Sequence, residues 1–231
     1  MRNYKTYTYI LFLNLTFFLA PFVSAHSLED AIKSTDRSAK NVSRDQYRNP
    51  YETLSFFGIK QEMSVVELSP GGGWYTEILA NYIHSPGKLI AAHFDRDSKR
   101  DFYIRMRNNF EDKINKNPMY KDVSVVDLSS KLADPGSIDA VLTFRNLHNW
   151  IGPQIDIIFS NSHKALKKGG VLGIVEHRAN PGTSLEEMKK TGYVTEAYAI
   201  ETAEKHGFTL IAKSEINANP KDTKNYTRGV W

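Results

Sequence analysis

Met63-Ser-Val-Val-Glu-Leu-Ser-Pro-Gly-Gly-Gly-Trp-Tyr-Thr-Glu77 is the stretch on which the architecture turns. Val65, Val66 and Leu68 form a short apolar, partly β-branched run that suits a buried strand. Gly71, Gly72 and Gly73 interrupt it, and Trp74 to Ala80 takes up helical spacing. Strand, glycine loop and helix in that order build the first turn of a nucleotide-binding βαβ unit. Glycines permit positive φ there and let a ligand lie against bare backbone at a helix N-terminus. A tight strand-to-helix turn uses the same residues, so the loop alone leaves both readings open. Glu67 stands at the carboxyl end of the strand, where an acid can accept from a ribose hydroxyl or an amino group.

Working outward, the same alternation repeats. Strands are expected at 88–93 after Pro86-Gly87, at 123–127, at 138–144 after Asp134-Pro-Gly136, at 171–176 and at 208–215. Helices are expected between them: 74–83, a charged one through about residue 116, 153–167 ending on Lys168-Gly-Gly170, and 195–206 ending on Gly207. Apolar runs rather than strict polar alternation mark strands buried on both faces. The expectation is a doubly wound, mostly parallel α/β sheet of six strands with helices on both faces. Residues 26–58 read as a helical arm laid over this single domain, with Asn49 capping a helix that Pro50 opens and Gly58 ends. Lys99, Arg100, Arg105 and Arg107, mixed with Asp97, Asp101, Glu111 and Asp112, read as a solvated helix face.

The first 25 residues have a different character. Arg2 and Lys5 precede the apolar run Ile10 to Ala20, Pro21 breaks it, and Val23-Ser-Ala25 supplies small residues for a peptidase. The run is shorter than the roughly 20 residues that span a bilayer. Export, with cleavage after Ala25 and no membrane span left afterwards, is therefore expected, to a periplasmic or secreted destination. An uncleaved anchor is the alternative. The formal charge of +4 loses two basic groups with this segment, too little to predict a nucleic-acid partner. The chain has no cysteine, which excludes a disulfide framework, a thiolate nucleophile and a cysteine metal site.

In an open parallel sheet, ligands bind beyond the carboxyl ends of the strands. That rule selects Glu67 and Gly71–Gly73, then His93 and Asp95, then Asp127, then Arg145, Asn146, His148, Asn149 and Trp150, and finally Glu176, His177 and Arg178. Each has a plainer reading: Asp127 as a turn cap with Ser129 and Ser130, His93 as an exposed strand end, Glu176-His177-Arg178 as a surface ion cluster. No His-x-x-His or Glu-x-x-His spacing predicts a metal. Neither a Gly-x-Ser-x-Gly elbow nor a P-loop lysine is present, which argues against hydrolase and phosphoryl-transfer chemistry.

These residues carry a resemblance. The chain from about Arg44 onward resembles the class I S-adenosylmethionine-dependent methyltransferases, and within them a bacterial group that is often exported. The generic marks are Val65 to Gly73, Asp127, and Leu166-Lys-Lys-Gly-Gly170; the group marks are Pro70 to Leu79, Leu142 to Trp150, Val175-Glu-His-Arg178 and Glu215 to Asp222. The resemblance implies a Rossmann-like sheet of seven strands with the last antiparallel. S-adenosylmethionine would lie over the glycine loop near Glu67 and Gly71–Gly73, with Asp127 near the adenine. Ser69-Pro70 departs from the usual small residues, and His93 replaces the ribose-binding acid, with Asp95 as its substitute. The last residues, Gly229-Val-Trp231, fall where relatives continue into a final strand, so either a truncation or an unusually short sheet edge is expected.

The implied function is methyl transfer to a small molecule or an exposed protein group. His148, with Asn146 and Arg145 as orienting partners, is expected on the acceptor side; Glu176, His177 and Tyr193 are second-rank candidates. An exported binding protein that keeps the fold without transferring methyl groups is the alternative. Nothing in the sequence predicts the oligomeric state or the acceptor.

Overall fold

Parallel pairing organises residues 27–231, which the computed structural model describes; the leader read over residues 1–25 lies outside them. Strands β1 (Ser64–Leu68), β2 (Lys88–His93), β3 (Val123–Asp127), β4 (Ile138–Phe144) and β5 (Leu166–Val175) form one sheet in the order β3-β2-β1-β4-β5. All four pairings are parallel, and Val65 aligns with Leu89 on one side and Ala140 on the other. The order reverses between β1 and β4, which makes their carboxyl ends the switch point where such sheets hold ligands.

Eight α-helices cover the sheet among the described residues: α1 (Leu28–Lys33), α2 (Ala39–Val42), α3 (Pro50–Phe56), α4 (Trp74–Tyr82), α5 (Asp101–Lys116), α6 (Pro153–Ala165), α7 (Leu185–Thr191) and α8 (Glu196–Lys205). Strand periodicity divides the core between two faces. Val66, Leu68, Ala92 and Val141 pack with Ile155, Ile158 and Phe159 of α6, Met188 of α7 and the inner side of α8. Val65, Leu89, Ala140 and Leu142 pack with Ile78 and Leu79 of α4, Leu28 of α1 and Leu54 of α3. Ala91 meets Phe110 and Ile114 of α5. No helix among the described residues is long and apolar enough to cross a membrane.

Helices α1 to α3 precede β1 and carry polar anchors as well as apolar ones. Arg37 is buried and makes paired hydrogen bonds to Asp45, 2.7 and 2.8 Å, and one to the Ile32 carbonyl. The Trp74 indole donates to the Asn41 carbonyl at 2.8 Å, so the arm is fastened to the first turn of α4.

Several expectations change. The sheet has five strands, not six or seven. Residues 208–215 pair with none of them: Ile211 is 89% exposed, and Lys213 and Glu215 are tied by ion pairs to Glu196 and Arg178. Only Phe208 reaches the core. α6 ends at Ala165, and Lys167 to Gly170 belong to β5, where the ladder shifts between Ile138 and Ala140. Asn49 adopts a left-handed φ of 40° and makes no side-chain cap; its amide donates instead to the Ile216 carbonyl at 2.8 Å. Pro50 at the first helical position leaves one fewer orphan donor to satisfy. α7 forms where a loop was expected, capped by Ser184, whose hydroxyl accepts from Glu187 N–H, and closed by Gly192 at φ 75°.

Candidate active site

The glycine loop leaves β1 through Ser69, whose N–H still reaches the Ala92 carbonyl at 2.8 Å and whose φ is 50°. Gly71 and Gly73 follow at φ 59° and 78°, values that favour glycine, and Gly73 N–H closes a turn on the Pro70 carbonyl. A Cβ built on Gly71 or Gly72 would meet nothing within 4 Å, so this backbone faces open space. Beneath it the loop is braced. Lys113 of α5 donates to the Gly72 carbonyl at 2.9 Å, and Asn146 beyond β4 donates to the Ser69 carbonyl at 3.2 Å. The Ser69 hydroxyl is buried with no partner, an exception among buried polar groups that calls for an explanation.

Strand parity corrects two of the expected ligand contacts. Glu67 lies on the same face as Val65, so its side chain enters the α4 layer, where it is 2% exposed and accepts from the Thr76 hydroxyl at 2.6 Å. His93 shares the face of Ala91 and is fully buried against Phe110. Its Nδ1 accepts from Phe94 N–H at 2.8 Å, which leaves Nε2–H to donate to the Gly71 carbonyl at 3.1 Å. Burial holds it below the usual histidine range and hence neutral. His93 thus supports the loop from underneath, and Glu67 ties β1 to α4.

Burial also pushes the Glu67 carboxyl up to about 7, against the opposing pull of the Thr76 hydrogen bond and Lys113. The folded form thus binds the proton more tightly than the unfolded chain. The stability this provides is complete below pH 4.5 and is lost as pH rises through about 7. A shift of this size corresponds to about 3 kcal/mol. Glu67→Gln should remove that pH-dependent loss. Urea melts of both proteins at pH 5 and pH 8 would read it as a smaller fall in midpoint for the variant, and equal falls would contradict the assignment.

Beyond β2 and β3 lies a cavity of about 120 Å³ lined by Phe94, Asp95, Ser98, Tyr103, Leu128 and Gln154. Phe94 and Tyr103 stack at 3.9 Å along one wall. Asp95 accepts from Ser129 N–H at 2.9 Å and keeps its second oxygen for other contacts. Asp127 is ion-paired with Arg107 at 2.6 Å, while its carbonyl accepts from the Ser130 hydroxyl and N–H. Arg107 was expected on a solvated face. It is buried, and it also holds the Phe94 carbonyl and Glu111.

On the other side of the switch point, His148 sits in a single 3-10 turn, Leu147–Trp150, after β4. It is buried, and its Nδ1 lies 2.9 Å from Glu176 at the end of β5. Glu176 also accepts from the backbone N–H of His148 at 3.1 Å and of His177 at 2.7 Å. With Nδ1–H committed to a carboxylate, Nε2 carries the lone pair, and it has no partner among the described residues. Glu176 is therefore the orienting group. Asn146, expected in that role, turns back to Ser69, Thr143 and Phe144. Arg145 takes a left-handed φ of 61°, and no side-chain hydrogen bond ties it to His148.

His177 stands 5.9 Å from His148, ring to ring, and burial lowers its basicity. Tyr193 is buried and donates to Asp222 at 2.8 Å, and its ring meets His177 edge-on at 6.2 Å. Its hydroxyl, pushed up to about 12 by burial and by Asp222, anchors the C-terminal segment rather than serving as an acid or base. That segment brings Val230 N–H to the Thr191 carbonyl and the Trp231 ring to 4.9 Å from His148. Lys113, Arg107 and Trp231 were not expected at the site from sequence. Only the i,i+4 spacing of Arg107 and Glu111 offered a signal, and the same spacing occurs on solvated faces.

No protein-family model matches the sequence, and no curated protein does. Solved structures are similar in shape. A SAM-dependent methyltransferase from Aquifex aeolicus is 21% identical, with a TM-score of 0.56 over 78% of this chain and 88% of that one. Geranyl diphosphate methyltransferase, solved in complex with SAM, gives 0.55 at 11% identity over 77% and 73%. The [4+2]-cyclase SpnF gives 0.60 at 13% identity over 80% and 70%. With its parallel order β3-β2-β1-β4-β5 and helices on both faces, the chain has the Rossmann-like class I methyltransferase fold, built here on five strands.

Proposed function

We propose that the protein binds S-adenosylmethionine at the glycine loop and transfers its methyl group to a small-molecule acceptor. The observation that carries the reading is the open backbone at Gly71 and Gly72 beside the unpaired buried hydroxyl of Ser69, at the switch point of the sheet. An orphaned hydroxyl there fits a polar ligand group, and bare glycine fits close approach of the ligand to backbone. In this reading Ser69 to Gly72 hold the aminoacyl and ribose part, and Asp95 lines the cavity that takes the adenine, with Asp127 just before its Leu128 wall. When bound, S-adenosylmethionine supplies a methyl group on a positively charged sulfur.

The chain's own part is positioning and proton transfer. Glu176 fixes the His148 ring so that Nε2 can take a proton from the acceptor atom. His93, Lys113 and Asn146 hold the loop in shape, which keeps the two reactants in register. The buried surroundings of His148 and Glu176 limit competition from water.

Calorimetry with S-adenosylmethionine and S-adenosylhomocysteine tests the reading. Binding should weaken at least about tenfold in Gly71→Val, which forces a branched residue into φ 59° and fills the open face. Absence of heat and of any thermal shift at saturating cofactor would remove the reading. Cofactor binding without methylated product from any small-molecule pool would instead leave a binding protein. We also propose export; N-terminal sequencing of protein from an envelope fraction should begin at His26, and an intact Met1 would refute it.

A further inference from the structure

Three arginines gather beside the candidate site without a carboxylate to neutralise them. The Tyr75 ring, stacked on Phe144 at 3.5 Å, is their common neighbour. Its hydroxyl donates to the Arg48 carbonyl at 3.3 Å, and Arg145 follows Phe144 directly, so the backbone brings both residues to the Tyr75–Phe144 stack. The Arg48 guanidinium lies 4.6 Å over the Trp74 ring, and Arg44 is one helical turn away on the arm. Neither Arg48 nor Arg145 is exposed, and among the described residues no carboxylate lies within ion-pair distance of either. The nearest acids are already committed: Asp45 to Arg37, Glu176 to His148. Burial first, and then the neighbouring guanidiniums of Arg145 and Arg44, depress the basicity of Arg48; burial does the same to Arg145. Gathering like charges in a half-buried place is unfavourable unless an anion completes it.

We propose that Arg48 and Arg145, with Arg44 at the rim, form an oxyanion-binding subsite for a carboxylate or phosphate group on the methyl acceptor. Guanidinium forks match the oxygens of such a group, and the Trp74 ring under Arg48 holds that guanidinium in place. The position favours the acceptor. Arg145 adjoins Asn146 and His148 in sequence and feels the charge of Glu176, the partner of His148. An acceptor anchored here by its anionic end would present its nucleophile toward His148 Nε2. This rests on the methyl-transfer reading above, although the anion site itself can be tested apart from it.

The probe is inorganic phosphate, titrated calorimetrically into the whole protein at fixed ionic strength, alone and with saturating S-adenosylhomocysteine or 5′-methylthioadenosine, which lacks a carboxylate. Phosphate should bind in all three conditions. Arg145→Gln should weaken it about tenfold or more, Arg48→Lys and Arg145→Lys by less, and Lys205→Ala, whose side chain pairs with Asp156, not at all. The lysine variants keep the charge and serve if Arg145→Gln does not fold. No phosphate binding would overturn the proposal. So would displacement of phosphate by S-adenosylhomocysteine but not by methylthioadenosine, because the anion would then be the cofactor's own carboxylate. Phosphate binding in a protein that binds neither adenosyl compound would sustain the oxyanion site and remove the methyl-transfer reading.

Discussion

His148→Ala is expected to lower methyl transfer by about 10² to 10⁴-fold, the usual contribution of a positioned acid or base. S-adenosylhomocysteine should bind as tightly as before, because the loop is held by His93, Lys113 and Asn146 and not by His148. Glu176→Gln keeps the size of the side chain but removes its charge and turns one of two acceptor oxygens into a donor, so the three N–H groups that converge on Glu176 can no longer all be satisfied and the ring is held less firmly. That variant should fall between wild type and His148→Ala, and combining the two should add little to His148→Ala alone. S-adenosylhomocysteine release, measured with an acceptor recovered from a small-molecule extract, reads all three. Full turnover in His148→Ala would move the proton acceptor elsewhere. Equal loss of turnover and of cofactor affinity would make His148 a structural residue.

The strands and the glycine loop were legible because apolar runs of four to seven residues punctuated by glycine and proline leave few alternatives. The direction in which strand-end side chains point was not. β1 and β2 are apolar on both faces, so the sequence carries no alternation that would assign Glu67 and His93 to a face; both are buried, Glu67 against Thr76 of α4 and His93 under Gly71. The His148–Glu176 pair was hidden for another reason. Its partners are 28 residues apart, and they meet only because β4 and β5 pair in a register that ends both strands together, Phe144 opposite Val175. Residues 208–215 misled because β-propensity describes a surface to be packed, and Lys213 and Glu215 found charged partners outside the sheet. For α7 the signal was available: Ser184, Glu187, two lysines and Gly192 form a capped seven-residue helix that an intervening proline-glycine turn obscured.

Arg107→Ala should be strongly destabilising, near the lower end of the roughly 3–5 kcal/mol for breaking a buried pair by removing one partner, because Asp127 is 35% exposed and water can partly solvate it. The reason lies in what Arg107 holds. Held within α5 by a 2.7 Å bond to Glu111, it bridges the helix to the ends of β2 and β3 by hydrogen bonds to Asp127 at 2.6 Å and to the Phe94 and Val126 carbonyls at 2.7 and 3.3 Å. Without it, two carboxylates and two carbonyls lose a shared donor at the wall of the 120 Å³ cavity. Arg96 can still neutralise Glu111 from the exposed side, but nothing replaces the contact to Asp127. Arg107→Lys keeps one charge and loses the fork, so it should recover part of the loss and not all of it. The loss is a large share of the 5–15 kcal/mol typical of a domain, so urea titrations at low temperature are the suitable measurement. The midpoint should fall while the slope stays constant. A change below about 1 kcal/mol would mean that water substitutes for the guanidinium and that the β2–β3 rim stands without it.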